Sequence, residues 1–448
     1  MTQSLADLTH RLITAAKAAG ADAADAVAIA GTSVSIDVRN STLEQAERSE
    51  ATDIGLRVFI GNKQANVSAS DTSDRTIEDM ALRAVAMAGE AMEDPNAGLA
   101  DPSQLATDLD ASRLDLIDPA PEPDPAWMEQ QAREAEAAAM TVSGVSQSQS
   151  TSMSYGQRQV HLSASNGFSG GYASTGYSLS SVAIAGQGAD MERDYDYDSR
   201  IYLSDMRSPA DIGKSAGERA VARHGARRPK TGTYAVVFDE RIANSLIGSL
   251  LQASNGMMIA RGSSWLRDAL GARILPEGID LIETPHRSRI SGSRLFDGEG
   301  LPTSDRKIID DGCLTGWTLD LATARKLGMK STASASRGTS GPPSPSVGHV
   351  ALTQGTVNQA DLLRDMGTGL LITSMIGSTI NPNTGDYSRG ASGFWIENGE
   401  IAYPVNECTV AGNLRDMLAR IVPANDARTH LSRVVPSLMI DAMTLAGD

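Results

Sequence analysis

The sequence predicts an α+β fold, with an N-terminal α+β part in which helices pack on antiparallel sheets and a β-rich C-terminal part with a few helices. Two observations point to it. A helix, a group of strands and a second helix follow one another twice within residues 1–227. After residue 228, short apolar strands joined by glycine-containing turns predominate. Strands joined by tight turns pair antiparallel, which indicates α+β rather than alternating α/β architecture.

The first helix–strands–helix unit lies at the N-terminus. An apolar stripe over residues 5–19 predicts a helix that Ser4 caps and Gly20 ends. The period of the apolar residues then falls to two, which predicts strands, and the Gly-Asn pair at residues 61–62 is typical of a hairpin turn. A second amphipathic helix is predicted over residues 74–92. The predicted strands are residues 27–29, 33–38, 43–48, 54–60 and 64–68.

A linker and a second, similar unit follow. Residues 94–124 are rich in Pro and Asp, which is typical of a linker. Helices are predicted over residues 125–140 and 209–223, the second capped by Ser208, with several strands between residues 143 and 202. The predicted organisation is a subdomain of residues 1–93, a linker of residues 94–124, a middle α+β subdomain of residues 125–227 and a C-terminal β-rich domain of residues 228–448.

The C-terminal part begins with an apolar strand over residues 233–238 and a helix over residues 240–252. The Asp-Gly pair at residues 311–312 and the Asn-Gly pair at residues 398–399 are typical of hairpin turns. Residues 333–348 are almost all Gly, Ser, Pro or small, so we expect them to form an exposed and mobile loop.

The charge and the cysteine content of the chain indicate which partners and which cellular compartment it suits. The chain has 448 residues and a formal net charge of −16, which repels a phosphate backbone and argues against nucleic-acid binding. The two cysteines, Cys313 and Cys408, imply no disulfide framework and suit a reducing compartment. The N-terminus lacks the apolar core of a signal peptide, and no apolar run approaches the length of a membrane span. We therefore expect a cytoplasmic protein with neither nucleic-acid nor membrane partners.

Residues that bind catalytic metals are scattered along the sequence. A zinc site needs three or four His, Cys or carboxylate ligands that converge on one point. Nucleophile-elbow and phosphate-loop motifs are missing from the sequence, and both cysteines are interpreted as small core residues. The six histidines lie far apart: His10, His161, His224, His286, His349 and His430.

One segment concentrates carboxylates. In the run MERDYDYDSR, residues 191–200, a β-strand would place Asp194, Asp196 and Asp198 on one face. Such a face could bind a cation or a peptide amine, or it could be a solvated strand face. The solvated face is the interpretation that we adopt.

The run TGDYSRGASGFWIENGE, residues 384–400, is dense in glycine and aromatic residues. Together with TVAGNLRDML, residues 409–418, it closely resembles the C-terminal signature of the TldE/PmbA proteins of the TldD/PmbA (modulator of DNA gyrase) metalloprotease family. Several other segments look like the same family, so the resemblance covers nearly the whole chain. They are residues 54–70 (IGLRVFIGNKQANVSAS), 315–332 (TGWTLDLATARKLGMKST), 362–373 (LLRDMGTGLLIT) and 436–447 (PSLMIDAMTLAG).

The resemblance implies a heterodimeric zinc protease made of a TldD and a TldE subunit. The TldD branch carries HExxxH on a helix, with a later cysteine as third zinc ligand. In this chain the corresponding helix is residues 240–252, and the motif falls on IGSLLQ, where Ile247 and Gln252 stand for the histidines and Gly248 for the glutamate. Cys408 falls at an apolar position of the TldE pattern. We therefore expect no metal, no catalytic residue and no cofactor in this chain, with zinc in the TldD-type partner.

The glycine-rich block is the candidate surface for a peptide or a partner. Its glycines permit close approach of another chain, and Asp386 and Arg389 could pair with each other or with partner groups. The block could equally only brace the β-rich core. The candidate residues are Gly385, Asp386, Tyr387, Ser388, Arg389 and Gly390.

Three functions follow from these observations. The first is a noncatalytic TldE-type subunit, part of a dimer with a TldD-type metalloprotease that acts on small unfolded peptides. The second is a peptidase active on its own through a metal site assembled from scattered ligands, with His286 and His349 as the residues to test. The third, implied by older names for the family, is an acidic modulator of DNA gyrase.

Overall fold

The computed structural model describes residues 4–448, without the side chains of residues 189 and 378. Its N-terminal half contains a six-stranded antiparallel sheet with the strand order β3-β2-β1-β4-β5-β6. The strands are β1 (Ala23–Arg39), β2 (Thr42–Ile60), β3 (Lys63–Ala69), β4 (Val145–Ala164), β5 (Ser169–Ala185) and β6 (Glu192–Arg200). The helices are α1 (Leu5–Ala18), α2 (Asp74–Glu90), α3 (Pro125–Met140) and α4 (Pro209–Ala222).

Four strands of this sheet are unusually long, and their length explains the two helix pairs. The 20 residues of β4 span about 65 Å at the rise of an extended chain, whereas a 17-residue helix such as α2 covers only about 25 Å. One helix pair, α1 and α2, packs over Ala24, Ala26 and Ala28 of β1. The other helices pack further along the same strand, where α3 contacts Val34 and Ile36.

Small residues let these layers approach closely. On α4, Gly213 lies so near the backbone of α3 that an added Cβ would be 1.8 Å from the carbonyl oxygen of Ala135. The opposite face of the sheet is covered by residues 94–124, which contain two 3-10 turns rather than regular helices. Leu114 and Leu116 of this segment are buried beside Phe168 and Phe296, so the predicted linker is packed against the sheet.

The C-terminal half holds a second six-stranded sheet, β16-β15-β14-β7-β19-β17, which closes on itself because β16 also pairs with β19. A five-stranded sheet, β10-β9-β8-β13-β18, and the pair β11-β12 flank it. The strands are β7 (Gly232–Phe238), β8 (Leu281–Glu283), β9 (Arg306–Asp310), β10 (Cys313–Leu314), β11 (Ala335–Ser336), β12 (Ser344–Pro345), β13 (Val350–Leu352), β14 (Gly369–Ile380), β15 (Asp386–Glu397), β16 (Glu400–Asn413), β17 (Val422–Pro423), β18 (Arg433–Val434) and β19 (Leu438–Ala446). The helices are α5 (Glu240–Ala253), α6 (Gly256–Ala260), α7 (Leu321–Lys326), α8 (Gln359–Met366) and α9 (Leu414–Leu418).

The predicted α+β class is confirmed, and so are the helices with strong caps. Ser4 and Ser208 each accept a hydrogen bond from the first turn of their helix. Asn398 and Gly399 both have positive φ, as their hairpin turn requires. Within residues 4–448, the helices are all too short or too polar to cross a membrane.

The prediction of several short strands near the N-terminus was wrong, because residues 27–29 and 33–38 belong to one strand, β1, and residues 43–48 and 54–60 to another, β2. The first ten residues of β2 are exposed, so they carry no alternation of apolar and polar residues from which a strand could be predicted. Pairing with β1 along its whole length keeps this segment extended.

The prediction that residues 333–348 form an exposed loop was wrong in part, because residues 336, 338, 340 and 342 are exposed but the rest of the segment is buried or half-buried. Its tip is docked on the N-terminal sheet, where Arg337 is buried and its Nη2 lies 2.6 Å from Oδ1 of Asp25 on β1. The same carboxylate accepts a hydrogen bond of 2.9 Å from Nε of Arg57. Beside this cluster the backbone of Thr339 touches Gly55 of β2, where a Cβ would be 2.2 Å from the Thr339 carbonyl oxygen. The loop therefore joins the two halves of the chain.

Replacing Gly55 by Ala should separate this loop from the sheet, because the new methyl group overlaps the Thr339 backbone. We expect a loss of about 1–3 kcal/mol in the free energy of unfolding, measured by chemical denaturation. Gly176→Ala is the matched control, since it lies in the same sheet and its Cβ would meet nothing within 4 Å. Equal stability of the two variants would contradict the docked loop.

Candidate functional site

A cleft of about 630 Å³ lies where the beginning of β6 meets the closed C-terminal sheet. One wall comes from β14, β15 and β16, and the other from the N-terminal sheet and the end of α4. Exposed apolar side chains lie at its rim: Ile376 is 77% exposed and Met191 is 47% exposed. The lining residues on the N-terminal side are Ile184, Met191, Glu192, Arg193 and Arg223, and those on the C-terminal side are Ser374, Met375, Ile376, Gly390, Ala391, Ser392, Asn406, Glu407 and Cys408.

Hydrogen bonds fix the two walls relative to each other. Arg223, at the end of α4, donates from Nη2 to Oγ of Ser392 at 2.8 Å. Asn406 on β16 donates from Nδ2 to Oε1 of Glu192 on β6 at 2.6 Å. Arg223 also lies 3.5 Å from the Glu192 carboxylate. Polar contacts therefore join the two walls of the cleft.

The glycine-rich block forms β15, and the alternation of the strand divides its residues between two faces. Gly390 lies in the cleft next to Ile376 of β14, whose Cγ2 would be 3.0 Å from an added Cβ. Tyr387 faces the core, where burial raises the pKa of its hydroxyl to about 12. Ser388 lies between these two residues and is half-buried. Of the six predicted surface residues, only Gly390 lines the cleft.

The remaining predicted residues make local contacts. Gly385 has a φ of +82° at the turn before β15. The Asp386 carboxylate accepts hydrogen bonds from Thr384 at 2.6 Å and Asn413 at 3.0 Å, which lower its pKa. Arg389 donates from Nε to the Gly377 carbonyl oxygen at 2.7 Å. Of the two alternatives for Asp386 and Arg389, pairing with each other does not occur, because residues three apart on a strand point to opposite faces, and pairing with partner groups stays a prediction.

The positions of α5 that the family resemblance matches with the HExxxH motif do not fit a zinc ion. Ile247 is fully buried in the core, and Gly248 has no side chain. Gln252 is exposed and offers only an amide, which is not among the usual zinc ligands. Cys408 is buried, donates from Sγ to the Ala391 carbonyl oxygen at 3.2 Å, and has a pKa raised to about 11 by burial. It is a core thiol, as the sequence predicts.

The histidines singled out for the alternative metal site lie in the C-terminal half. His349 is fully buried, its Nδ1 is 2.7 Å from Oγ1 of Thr284, and burial lowers its pKa to about 4. Nε2 of His286 is 3.1 Å from Oγ1 of Thr303. Among the described residues, 4–448, no three His, Cys, Asp or Glu side chains are grouped so that they could hold a metal ion.

The acidic strand is buried, so the prediction of a solvated face was wrong. Asp194, Asp196 and Asp198 are at most 5% exposed, and they meet arginines from the neighbouring elements. We call these three aspartates and their partners the Asp–Arg ladder. The ion pairs are Asp194 with Arg223 and Arg241, Asp196 with Arg207 and Arg219, and Asp198 with Arg200. Nε2 of His430 lies 3.3 Å from Oδ1 of Asp198.

Comparison with known proteins identifies the family of this chain. Models of the PmbA/TldA metallopeptidase domains match residues 24–88 (domain 1), 118–223 (central domain) and 231–447 (C-terminal domain). The chain belongs to the PmbA/TldD metallopeptidase family. The resemblance of the glycine-rich block to this family is thereby confirmed, while the subdomain boundaries at residues 93, 124 and 227 stay a prediction.

Relatives within the PmbA/TldD family align over almost the whole chain. The metalloprotease PmbA of Escherichia coli O157:H7 is 36% identical over 95% of this chain and 92% of its own length. The PmbA homolog of Haemophilus influenzae is 35% identical over 100% of this chain and 97% of its own length. A solved structure from Bacteroides thetaiotaomicron, named as a candidate modulator of DNA gyrase, superposes with a TM-score of 0.91 at 26% identity over 98% of both chains.

TldE from Thermococcus kodakarensis has the same fold, with a TM-score of 0.85 over 98% of this chain and 100% of that one. At 18% identity, this likeness concerns the fold alone. Neither these comparisons nor the motifs point to the residues that fix the cleft, Arg223, Glu192 and Asn406. Their partners are distant in sequence, so no local spacing reveals them.

The Asp–Arg ladder should make the free energy of unfolding depend on pH in the acidic range. Burial alone would raise the pKa of Asp198, but hydrogen bonds from His430, the Arg207 amide and Arg200 hold it well below its ordinary value. Because the pKa of Asp198 is lower in the folded chain than in the unfolded chain, where it is about 3.9, the ionised carboxylate stabilises the fold at pH values above about 3.9. This contribution to stability is lost as the pH falls toward the pKa of the folded chain. The free energy of unfolding should therefore drop steeply below about pH 4.

Asp198→Asn should be less stable than the wild type at pH 7 and should lose less stability between pH 7 and pH 3. Urea denaturation at several pH values measures both effects. Asp305→Asn is the control, because Asp305 is exposed and lies outside the ladder. Parallel pH profiles for the wild type and Asp198→Asn would rule out this role of the carboxylate.

Proposed function

We propose that this chain is a noncatalytic TldE-type subunit of a TldD/TldE zinc metalloprotease that degrades or matures small unfolded peptides in the cytoplasm. The observation that carries the proposal is the composition of α5 within an otherwise complete family fold. The positions corresponding to HExxxH hold a core isoleucine, a glycine and a glutamine amide, none of which can bind zinc or act as a general base. Zinc would then be held by a TldD-type partner.

The cleft is the surface of this subunit that would meet a peptide. Its walls combine apolar side chains, such as Ile376, with polar groups that are few and fixed, such as Arg223 and Asn406. That combination suits ligands that bind mainly by shape and backbone contacts. Gly390 adds a stretch of strand without a side chain, where another chain can approach closely. These features favour the hypothesis that the glycine-rich block lines a peptide chamber over the hypothesis that it only braces the β-rich core.

A peptidase that is active without a partner is the alternative, and the names of the relatives favour it, since the Escherichia coli and Haemophilus influenzae proteins are called metalloproteases. Such a site would have to be built around His349 or His286. Both rings are already engaged by threonine hydroxyls. His349→Ala and His286→Ala should each abolish peptide cleavage by the pure chain if this alternative holds, and leave any activity unchanged if it does not.

A modulator of DNA gyrase is the third function, and it rests on names, such as that of the Bacteroides thetaiotaomicron structure. The negative charge of this chain could compete with DNA for a basic surface. The aspartates that are densest in the sequence are buried in the Asp–Arg ladder and cannot take part. Failure to bind purified gyrase at low salt would exclude this function.

Replacing Ile376 by Asp should impair the assembled protease. We expect the peptidase activity of the complex with a TldD-type protein from the same organism to fall about tenfold, because a charge replaces an apolar side chain in the cleft. Leu82→Asp is the matched control, since Leu82 is 61% exposed on α2, outside the cleft. Full activity of Ile376→Asp, in a complex that forms normally, would remove the cleft from the peptide path.

A further inference from the structure

A small pocket lies where the two segments singled out by the family resemblance meet. On one side is the end of α5, with Gln252 at a position that the resemblance matches with the metal motif. On the other side are the end of β14 and the turn before the glycine-rich block. We call this pocket, which has a volume of about 160 Å³, the α5 pocket. Its lining includes Ser249, Gln252, Met258, Trp265, Ile380 and Pro382.

The body of the α5 pocket is apolar and has the size of one side chain. Trp265 is 2% exposed, and Met258 and Ile380 are half-buried beside it. Among the described residues that line the pocket, none carries a charge. A volume of about 160 Å³ corresponds to roughly five groups of about 30 Å³, the volume of a water molecule in the liquid. An aliphatic side chain such as that of leucine or methionine fills such a space.

A free amide lies at the mouth of the α5 pocket. Gln252 is exposed, and its side chain has no hydrogen-bond partner within residues 4–448. A primary amide offers both a donor and an acceptor, which match the C=O and N–H groups of a peptide backbone. The hydroxyl of Ser249 donates to the Ser245 carbonyl oxygen at 2.9 Å and can still accept a hydrogen bond. Apolar walls bind a ligand and a few polar groups orient it, so this arrangement fits one residue within a peptide chain.

Hydrogen bonds hold the walls of the α5 pocket in place without a ligand. The backbone amide of Trp265 donates to the Pro382 carbonyl oxygen at 2.7 Å. The hydroxyl of Ser264 donates to the Ala253 carbonyl oxygen at 2.5 Å, which fixes the segment before Trp265 on α5. Gly385, the first glycine of the glycine-rich block, packs against the indole, since an added Cβ would be 3.4 Å from Cγ of Trp265. A pocket whose shape is fixed in advance loses less entropy when a ligand binds.

We propose that the α5 pocket binds one aliphatic side chain of a small unfolded peptide, and that the Gln252 amide hydrogen-bonds to the peptide backbone beside it. The identity of the ligand as a peptide rests on the proposed function. Helix α5 then takes part in peptide binding although its motif positions cannot hold zinc. A glycine leaves the pocket empty, and a charged side chain loses its water without gaining a partner charge, so both bind less tightly than leucine.

Binding of short peptides to the purified chain tests the α5 pocket. The probes are the capped tripeptides acetyl-Gly-Leu-Gly-amide and acetyl-Gly-Gly-Gly-amide, in a ligand-observed NMR titration that covers weak binding. The leucine peptide should bind about tenfold to a hundredfold more tightly, because burial of a leucine side chain supplies a factor of this size.

Variants of the pocket should weaken or remove this preference. Ser249→Leu places an aliphatic side chain in the pocket and should abolish it, and Ser68→Leu, at an exposed position on β3, is the matched control. Gln252→Ala should weaken binding of the leucine peptide about threefold to tenfold, because a hydrogen bond to the peptide is lost. Gln130→Ala is the matched control, since Gln130 is an exposed glutamine on α3.

Met258→Ala keeps the pocket testable if Ser249→Leu does not fold. It enlarges the pocket, so the preference should shift from the leucine peptide to acetyl-Gly-Phe-Gly-amide. Three results would overturn the proposal: equal binding of the leucine and glycine peptides by the wild type, a leucine preference unchanged in both Ser249→Leu and Met258→Ala, or an effect of Ser249→Leu only on binding to a TldD-type protein.

The proposed function can fail separately from the α5 pocket. A leucine preference that Ser249→Leu abolishes supports the pocket even when the complex with a TldD-type protein has no peptidase activity. An active complex whose purified subunit binds the leucine and glycine peptides equally removes the pocket and leaves the proposed function standing.

Discussion

The contact on which the rest of the structure depends is the Asp–Arg ladder, which joins the last strand of the N-terminal sheet to the C-terminal half. Its three carboxylates are almost completely buried, so each needs a cation and hydrogen bonds to offset the loss of water. Arg219 comes from α4 and Arg241 from α5. Asp194 and Asp196 each have two arginine partners, so removing one arginine weakens the compensation of a buried carboxylate without abolishing it. The ladder therefore fixes how the two halves of the chain meet.

The ladder also positions both parts of the candidate site. Arg241, in the first turn of α5, binds Asp194 of β6. Helix α5 is the one that the family resemblance matches with the metal-binding helix of the TldD branch. Arg223 binds the same aspartate and also donates to Ser392 in the cleft. A chain that has no metal ligands at the motif positions of α5 still holds that helix by buried ion pairs. We infer that the role of this subunit depends on the shape of its cleft and not on chemistry at α5.

Local signals in the sequence predicted the helices, the hairpin turns and the fold class, because caps, periodicity and Asn-Gly turns act over a few residues. Contacts between distant residues were not predictable in this way. The aspartates of β6 looked like a solvated face because their arginines lie elsewhere in the sequence, and the loop that carries Arg337 looked exposed for the same reason. Resemblance to a family located the glycine-rich block, but only the structure shows that Gly390 lines the cleft and that Asp386 and Arg389 do not pair.

The most direct test of the noncatalytic role is the zinc content of the purified chain, measured by elemental analysis after dialysis against a weak chelator. A noncatalytic subunit should contain less than about a tenth of a zinc ion per chain, because α5 offers no imidazole, thiolate or carboxylate at the motif positions. About one zinc ion per chain that survives dialysis would contradict the noncatalytic role. The search for ligands would then turn to the six histidines.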